Sequence, residues 1–519
     1  MTRVTPPRRL QTLLSSPRQL FAWGGAAFAL ILAVALYTRF NLNGNLWRDE
    51  AIYAYGGQQL ADGVPVYLSI FDPKPPLPTI LCGFAAIGAN WFDVNDVLAM
   101  RAEFFVFACL TVVAVYLLVL WLWNSPLAAV VGAATFASFK GFARDALEGP
   151  DAKTPGIFFA VLSMGLLVRR QWFWGAFTGS LAFLVWQPLI VYPAVAVVWA
   201  VVASDADVRW RCGARALAGA AIPVAVTSLY LLIEGALSQF IEASLTFPLT
   251  GVERGSQTLG ERIDRIVFVV NQDYGNTSVL FWAGLVALLG LLVACLLRRR
   301  SELRAAVREP YIVVVILTFL GIAAVTLSDF QGYPDLFPVL PYAATGLGGA
   351  VALVQSQVDG ARLRLAVTAA ALVGVAVLAV LTWSVYSDAH WPAKSLRAQR
   401  ADAAKLQKIL DPGEILYSLG NPVPLVLTHR RNPSRFIYLN SGAANWKIKH
   451  TPGGLEGWKR EILASNPAVV TISDWETRTT QKIRPWLKSV YGKGTYLGHW
   501  QLFMKPSVRA RAIRRGIAL

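Results

Sequence analysis

The residues best suited to chemistry crowd into one stretch, LWRDEAIYAYGGQQLADGVPVYLSIFDPKPPL, residues 46–77. It holds the adjacent carboxylates Asp49 and Glu50, two further acids (Asp62, Asp72), the tyrosines Tyr53 and Tyr67, and Lys74 set among Pro73, Pro75 and Pro76. A second group follows at Arg144, Asp145, Glu148, Asp151 and Lys153, and a third at Asp329, Tyr333 and Asp335. Such a set suits attack by a hydroxyl or amine on a centre activated by phosphate. One carboxylate removes the acceptor proton, and cations neutralise the departing phosphate. Lys74 fits the second task because the prolines around it stiffen its backbone.

Plainer readings stand beside these. Asp49 and Glu50 suit the first turn of a helix predicted over 51–60, where a carboxylate complements the helix dipole. Asp62-Gly63 reads as a turn, and Asp72-Pro73 could be one. Glu148 and Asp151 could be solvated loop charges. The four histidines (His390, His429, His450, His499) are dispersed and read as surface or locally bonded groups, and Trp172 and Trp174 beside Arg169 and Arg170 read as interface anchors.

The composition says what carries these groups. The chain has 519 residues, 55% hydrophobic, with a mean hydropathy of +0.48. Many apolar runs approach the roughly 20 residues that cross a bilayer, so the expected class is a polytopic α-helical membrane protein. Cys82, Cys109, Cys212 and Cys295 lie in or beside apolar runs without metal-ligand spacing, which excludes a disulfide framework or zinc knuckle. The formal charge is +17. Residues 388–519 hold 22 Lys/Arg and 8 Asp/Glu, a net +14. On a membrane-anchored domain, that excess points to anionic headgroups or phosphate-bearing substrates rather than nucleic acid.

Hydropathy gives about eleven spans, at 20–39, 100–123, 127–144, 156–168, 173–187, 189–204, 214–233, 277–297, 311–327, 336–354 and 363–385. Residues 76–92 are apolar but short, and read as an interfacial or re-entrant helix. With Arg3, Arg8, Arg9 and Arg18 in the cytoplasm, every clear basic cluster in a short loop also falls inside: 169–170, 209–215, 298–308 and 362–364. The acidic, aromatic loops 40–99 and 145–155 then lie outside, with 234–276, 328–335 and the C-terminal part. The expected division is a membrane domain over 1–387 and a basic α/β domain over 388–519. Its predicted elements are helices at 395–410, 455–464 and 481–491 and strands at 414–418, 435–439, 468–472 and 495–504, ending in a frayed basic tail over 509–519.

Asp49-Glu50 after the first span, DPKPPL before a short apolar helix, an acidic loop after the third span and QGYPD at 331–335 together resemble the integral-membrane glycosyltransferases of GT-C type. The likeness is closest to the protein O-mannosyltransferase and lipid A aminoarabinose transferase branch, and covers roughly residues 20–390. It implies transfer of a monosaccharide, a mannose-like hexose or a pentose, from a polyprenyl- or dolichyl-phosphate carrier to a protein, lipid or glycan. The reaction would take place on the outer face of the plasma membrane. Asp49, with Glu50 beside it, matches the catalytic aspartate that activates the acceptor. Lys74 matches the lysine on the donor phosphate, and Asp151 or Glu148 the second-loop acid. Tyr333 would sit near the carrier phosphate, with Tyr53, Asp72 and Arg144 completing the substrate-binding set. Where that branch binds metal it uses a histidine in the loop after the seventh span. Residues 234–276 contain none, so no metal ligand is assigned, although a divalent metal remains compatible.

Two other classes meet the same composition. A transporter or lipid flippase would place ionisable groups at mid-span depth in broken helices, whereas here they gather at the ends of spans. A membrane-anchored binding scaffold would tolerate substitution in the first two outer loops.

Overall fold

The computed structural model describes residues 17–252, 257–298, 309–387, 395–472, 478–498 and 500–517. Arg3, Arg8, Arg9, most of the cluster at 298–308, His390 and His499 lie outside them. The chain is a polytopic α-helical membrane protein with a small sheet near its C-terminus. Each expected span coincides with helix. The first half runs α1 (Pro17–Tyr37), α2 (Arg48–Ala61), α3 (Leu77–Phe92), α4 (Asp96–Trp123), α5 (Pro126–Ala137), α6 (Lys140–Glu148), α7 (Lys153–Val168), α8 (Trp172–Phe183), α9 (Val191–Val202) and α10 (Arg209–Ile233). The later spans are Gly275–Leu297, Tyr311–Ser328, Tyr333–Gln357 and Ala361–Ser387.

The expected spans divide by length, several falling on shorter apolar helices such as Ala22–Tyr37, Lys153–Val168 and Gln187–Val202. Among the described residues, six helices are long and apolar enough to cross a membrane, and a seventh span results if α5 and α6 are joined across their 62° bend. The break at Ser138 explains the difference for the third expected span. Its apolar half is α5, and its polar end belongs to α6, whose residues KGFARDALE carry Arg144, Asp145 and Glu148. Capping sharpens the neighbouring boundaries. Asn95 caps α4 by accepting from the Leu98 amide, α4 ends on Asn124 in a left-handed conformation, and Ser125 caps α5 ahead of Pro126. Trp172 corrects the interface-anchor expectation. It is buried, edge-on to Trp199 at 5.3 Å, while Trp174 is exposed.

Close helix approach depends on small residues. A Cβ on Gly346 would lie 2.0 Å from the Gly284 carbonyl oxygen, so the helices Ser278–Arg298 and Leu340–Gln357 meet backbone to backbone.

The sheet has the order β1-β2-β4-β3, with β1 (Leu416–Leu419) parallel to β2 (Val469–Ile472) and β4 (Trp500–Met504) antiparallel to both β2 and β3 (Thr495–Leu497). Three expectations need correction. The run 435–439 alternates like a strand but joins no ladder. Its carbonyls are taken elsewhere: Arg435 accepts from the Phe71 amide at 2.7 Å and Ile437 from the Gly420 amide at 2.6 Å. The single strand expected over 495–504 is a hairpin folded at Gly498. The tail expected to fray forms a helix over Pro506–Arg514, because Arg511 pairs with both Asp411 and Glu414.

This C-terminal part clasps the first loop. Gln399 exchanges two hydrogen bonds with the Leu46 backbone, at 2.8 and 2.9 Å. Tyr55 accepts from the Asn432 amide at 2.9 Å, and Gln58 donates to the Val426 carbonyl at 3.1 Å.

Candidate active site

The helix expected over 51–60 is α2, and it begins three residues earlier, at Arg48. Asp49 and Glu50 occupy its first turn, but Trp47 is the N-cap and no side chain caps it. The expectation that this pair sits in the first turn, where a carboxylate complements the helix dipole, therefore holds, without a side-chain capping bond. Asp49 projects outward, 56% exposed, with the Arg48 guanidinium 3.0 Å away. Glu50 is buried, and its Oε2 has no hydrogen-bond partner among the described residues. Burial holds the Glu50 carboxyl well above the usual range, and Asp49, Asp145 and Asp151 push it further. Acids from the first and second loops thus act on one another, with Glu50 favouring its proton.

One buried residue brings the loops together. Arg101 enters from the first turns of α4, fully buried. It donates to the carbonyls of Leu42, Gly44 (2.9 Å) and Asn45 (3.1 Å) just ahead of Asp49, and to Gly149 (2.8 Å) just ahead of Asp151. The forked guanidinium can serve four carbonyls at once. Sequence reasoning missed it, although a charge inside an apolar helix is itself a signal of a task.

The second loop meets both the first loop and the third group. Glu148 accepts from the Trp47 indole at 3.1 Å, and so faces the first loop. Asp151 accepts from the Lys153 amide at 2.8 Å, just ahead of α7. The acid that meets the third group is Asp145, which accepts from the Tyr333 hydroxyl and lies 3.4 Å from Arg144. The Arg144 guanidinium covers the Tyr333 ring at 4.9 Å. Beneath them Lys153 forms a buried ion pair with Asp335 and stands over the Trp186 ring. Asp335 also accepts from the Gln331 and Gly332 amides.

Lys74 stands at the other end of the first loop. Its ammonium donates to the Tyr53 hydroxyl at 2.7 Å and has no carboxylate in ion-pair range among the described residues. Asp72 is buried and accepts from the Lys74 amide at 3.0 Å, so the turn reading of Asp72-Pro73 holds as well. Burial pushes the Asp72 carboxyl from 3.8 up to about 6, against the pull of Lys74. This makes a pH prediction. Between about pH 4 and 6 the folded chain keeps a proton that the unfolded chain has released. Folding stability is therefore highest below that window and falls by about 3 kcal/mol as pH rises through it. The thermal midpoint of the wild type relative to Asp72→Asn should drop over that range and level off above it. A difference that stays constant with pH would rule the assignment out.

Among the described residues, no three His, Cys, Asp or Glu side chains stand together to hold a metal ion. His450 is bonded to the Trp446 carbonyl at 2.9 Å, and His429 lies 3.9 Å from Asp96. The groups present do not fit a metal centre, and no step is built on one.

No protein-family model matches this chain, and no curated protein sequence does. Solved structures do match in fold. ArnT from Cupriavidus metallidurans bound to undecaprenyl phosphate aligns at a TM-score of 0.61 with 13% identity, covering 92% of this chain and 97% of that one. The same protein in its apo state gives 0.59 with 14% identity, over 93% and 98%. The archaeal oligosaccharyltransferase AglB from Archaeoglobus fulgidus, in complex with an inhibitory peptide and a dolichol-phosphate, gives 0.53 with 14% identity, over 94% and 74%. Over nearly its whole length this chain therefore has the fold of the GT-C glycosyltransferases.

Proposed function

We propose that this chain is a glycosyltransferase that moves one sugar, a mannose-like hexose or a pentose, from a polyprenyl- or dolichyl-phosphate carrier to a protein, lipid or glycan acceptor. The observation that carries the reading is Lys74. Its ammonium rests on the Tyr53 hydroxyl, which burial and the charges of Asp72, Asp151 and Asp49 keep protonated. A phosphate monoanion supplies the partner such an ammonium lacks. The fold neighbours whose structures hold undecaprenyl phosphate and a dolichol-phosphate support the same donor class.

In the proposed reaction the acceptor hydroxyl gives its proton to Asp49 as its oxygen bonds to the anomeric carbon. The bond from that carbon to the carrier phosphate oxygen breaks, and the phosphate leaves with the electron pair. Lys74, Arg144 and Tyr333 take up the charge that develops there. Tyr53 and Asp72 hold Lys74 in place. Glu50 stays protonated beside Asp49, and Asp151 and Glu148 shape the acceptor side. Attack from the face opposite the phosphate inverts the anomeric centre.

We place the N-terminus in the cytoplasm of a plasma-membrane protein, with the site and the basic domain over 388–519 on the opposite face. The test is transfer by the full chain in liposomes, using polyprenyl-phosphate-linked sugar. Lys74→Met should raise the donor KM by about 10- to 100-fold, the cost of one charge-assisted contact or two. An unchanged donor KM would overturn the assignment of Lys74.

A further inference from the structure

The segment Asp72-Pro73-Lys74 has an accounting problem that the rest of the fold solves. It belongs to no helix or sheet, and backbone carbonyls buried there need donors. Tyr67 donates to the Lys74 carbonyl at 2.8 Å. Ser244 donates to the same carbonyl at 2.8 Å and lies 3.4 Å from that of Asp72. Gln187 reaches the Pro73 carbonyl at 2.6 Å. With one proton each, the Tyr67 and Ser244 hydroxyls either both donate to the Lys74 carbonyl or one donates to it through the other. They are 2.9 Å apart, and Gln187 donates to the Ser244 carbonyl at 3.0 Å. Ser244 and Tyr67 are both fully enclosed.

Ser244 sits in a π-helical turn, Ile241–Thr246, a geometry that recurs at functional sites. Two positions earlier, Glu242 points the other way. It accepts from Arg435 and from the Trp446 indole at 3.0 Å, both in the C-terminal part. Arg435 in turn lies 5.4 Å over the Phe71 ring, and its carbonyl receives the Phe71 amide. The segment bearing Lys74 is therefore gripped on one side by Ser244 and on the other by the C-terminal part, and Glu242 ties the two grips together.

We infer that Ser244 is the positioning residue that sets where the Lys74 ammonium stands, and that Glu242 transmits the position of the C-terminal part to it. The inference rests on Lys74 contacting the donor phosphate. It gives the C-terminal part a task, namely fixing donor affinity from outside the donor site.

The test is binding of undecaprenyl phosphate, used as the probe, to the purified full chain in nanodiscs. Ser244→Ala should weaken binding about tenfold, the value of a hydrogen bond lost from a placed ammonium. Ser244→Thr keeps the hydroxyl and should restore it. Glu242→Ala should weaken binding about threefold, without adding to Ser244→Ala. The decisive comparison is made in Lys74→Met. If Ser244 acts by placing the ammonium, Ser244→Ala costs nothing further once that ammonium is gone. If Ser244 only fills space, the loss is the same in both backgrounds, and the inference fails. It also fails if Lys74→Met weakens binding while Ser244→Ala does not. If Lys74→Met binds like the wild type, the donor-phosphate reading itself falls.

Discussion

Asp49→Asn should reduce the rate of transfer by about 10³-fold, the range a positioned general base supplies. The loss should fall on kcat, because the amide occupies the same volume and leaves the proposed donor-phosphate contact of Lys74 untouched. Folding should be preserved. The side chain is more than half exposed, and its ion pair with Arg48 is a surface one of small value. Membrane insertion and thermal midpoint are therefore expected to match the wild type. Glu50→Gln makes the contrast, since burial and the neighbouring acids already favour the neutral form of Glu50. That variant should retain most of the activity that Asp49→Asn loses. Near-normal turnover in purified Asp49→Asn would show that another group takes the acceptor proton.

The second large effect is expected at Arg101. Arg101→Met removes four hydrogen bonds to the carbonyls of Leu42, Gly44, Asn45 and Gly149 at once. A buried carbonyl left without a donor costs about 1–3 kcal/mol. Relaxation and water entry reduce the total, so a loss of about 3–5 kcal/mol is expected. Activity should fall with it, because those carbonyls lead directly into Asp49 and Asp151. Arg101→Lys should not rescue. Its ammonium has three donors and no planar fork, and cannot reach carbonyls on two loops together. Thermal unfolding of the purified variants measures the stability. A wild-type midpoint in Arg101→Lys would contradict the four-way role.

Much of this molecule was legible in the sequence, and the parts that were not share a physical cause. An apolar run of about 20 residues has few alternatives to a membrane helix, so each expected span falls on helix. What hydropathy could not see was the bend at Ser138. An apolar stretch running into KGFARDALE averages to one segment, yet the second half carries Arg144, Asp145 and Glu148. The first loop was legible because Asp49, Glu50 and Lys74 lie close in sequence among stiffening prolines. Its supports were not, because they come from far away. Ser244 meets Tyr67 across 177 positions and Lys153 meets Asp335 across 182, and neither pair leaves a periodic trace. Residues 435–439 misled for a related reason. Their alternation is that of a strand, but the first loop claims the Arg435 carbonyl that a ladder would have used. Asp145 was visible among the second-loop acids, while its contact with Tyr333 needed the third group folded against α6.

The most direct test of the central claim is mass spectrometry of envelope glycans, glycoproteins and lipids from cells lacking the gene, complemented with the wild type or with Asp49→Asn. A hexose- or pentose-sized mass on one class of molecule should vanish on deletion, return with the wild type, and stay absent with Asp49→Asn expressed at the same level in the membrane. If no sugar-sized mass changes on deletion, or if Asp49→Asn restores it fully, the chain does not transfer sugars by the chemistry assigned to this site.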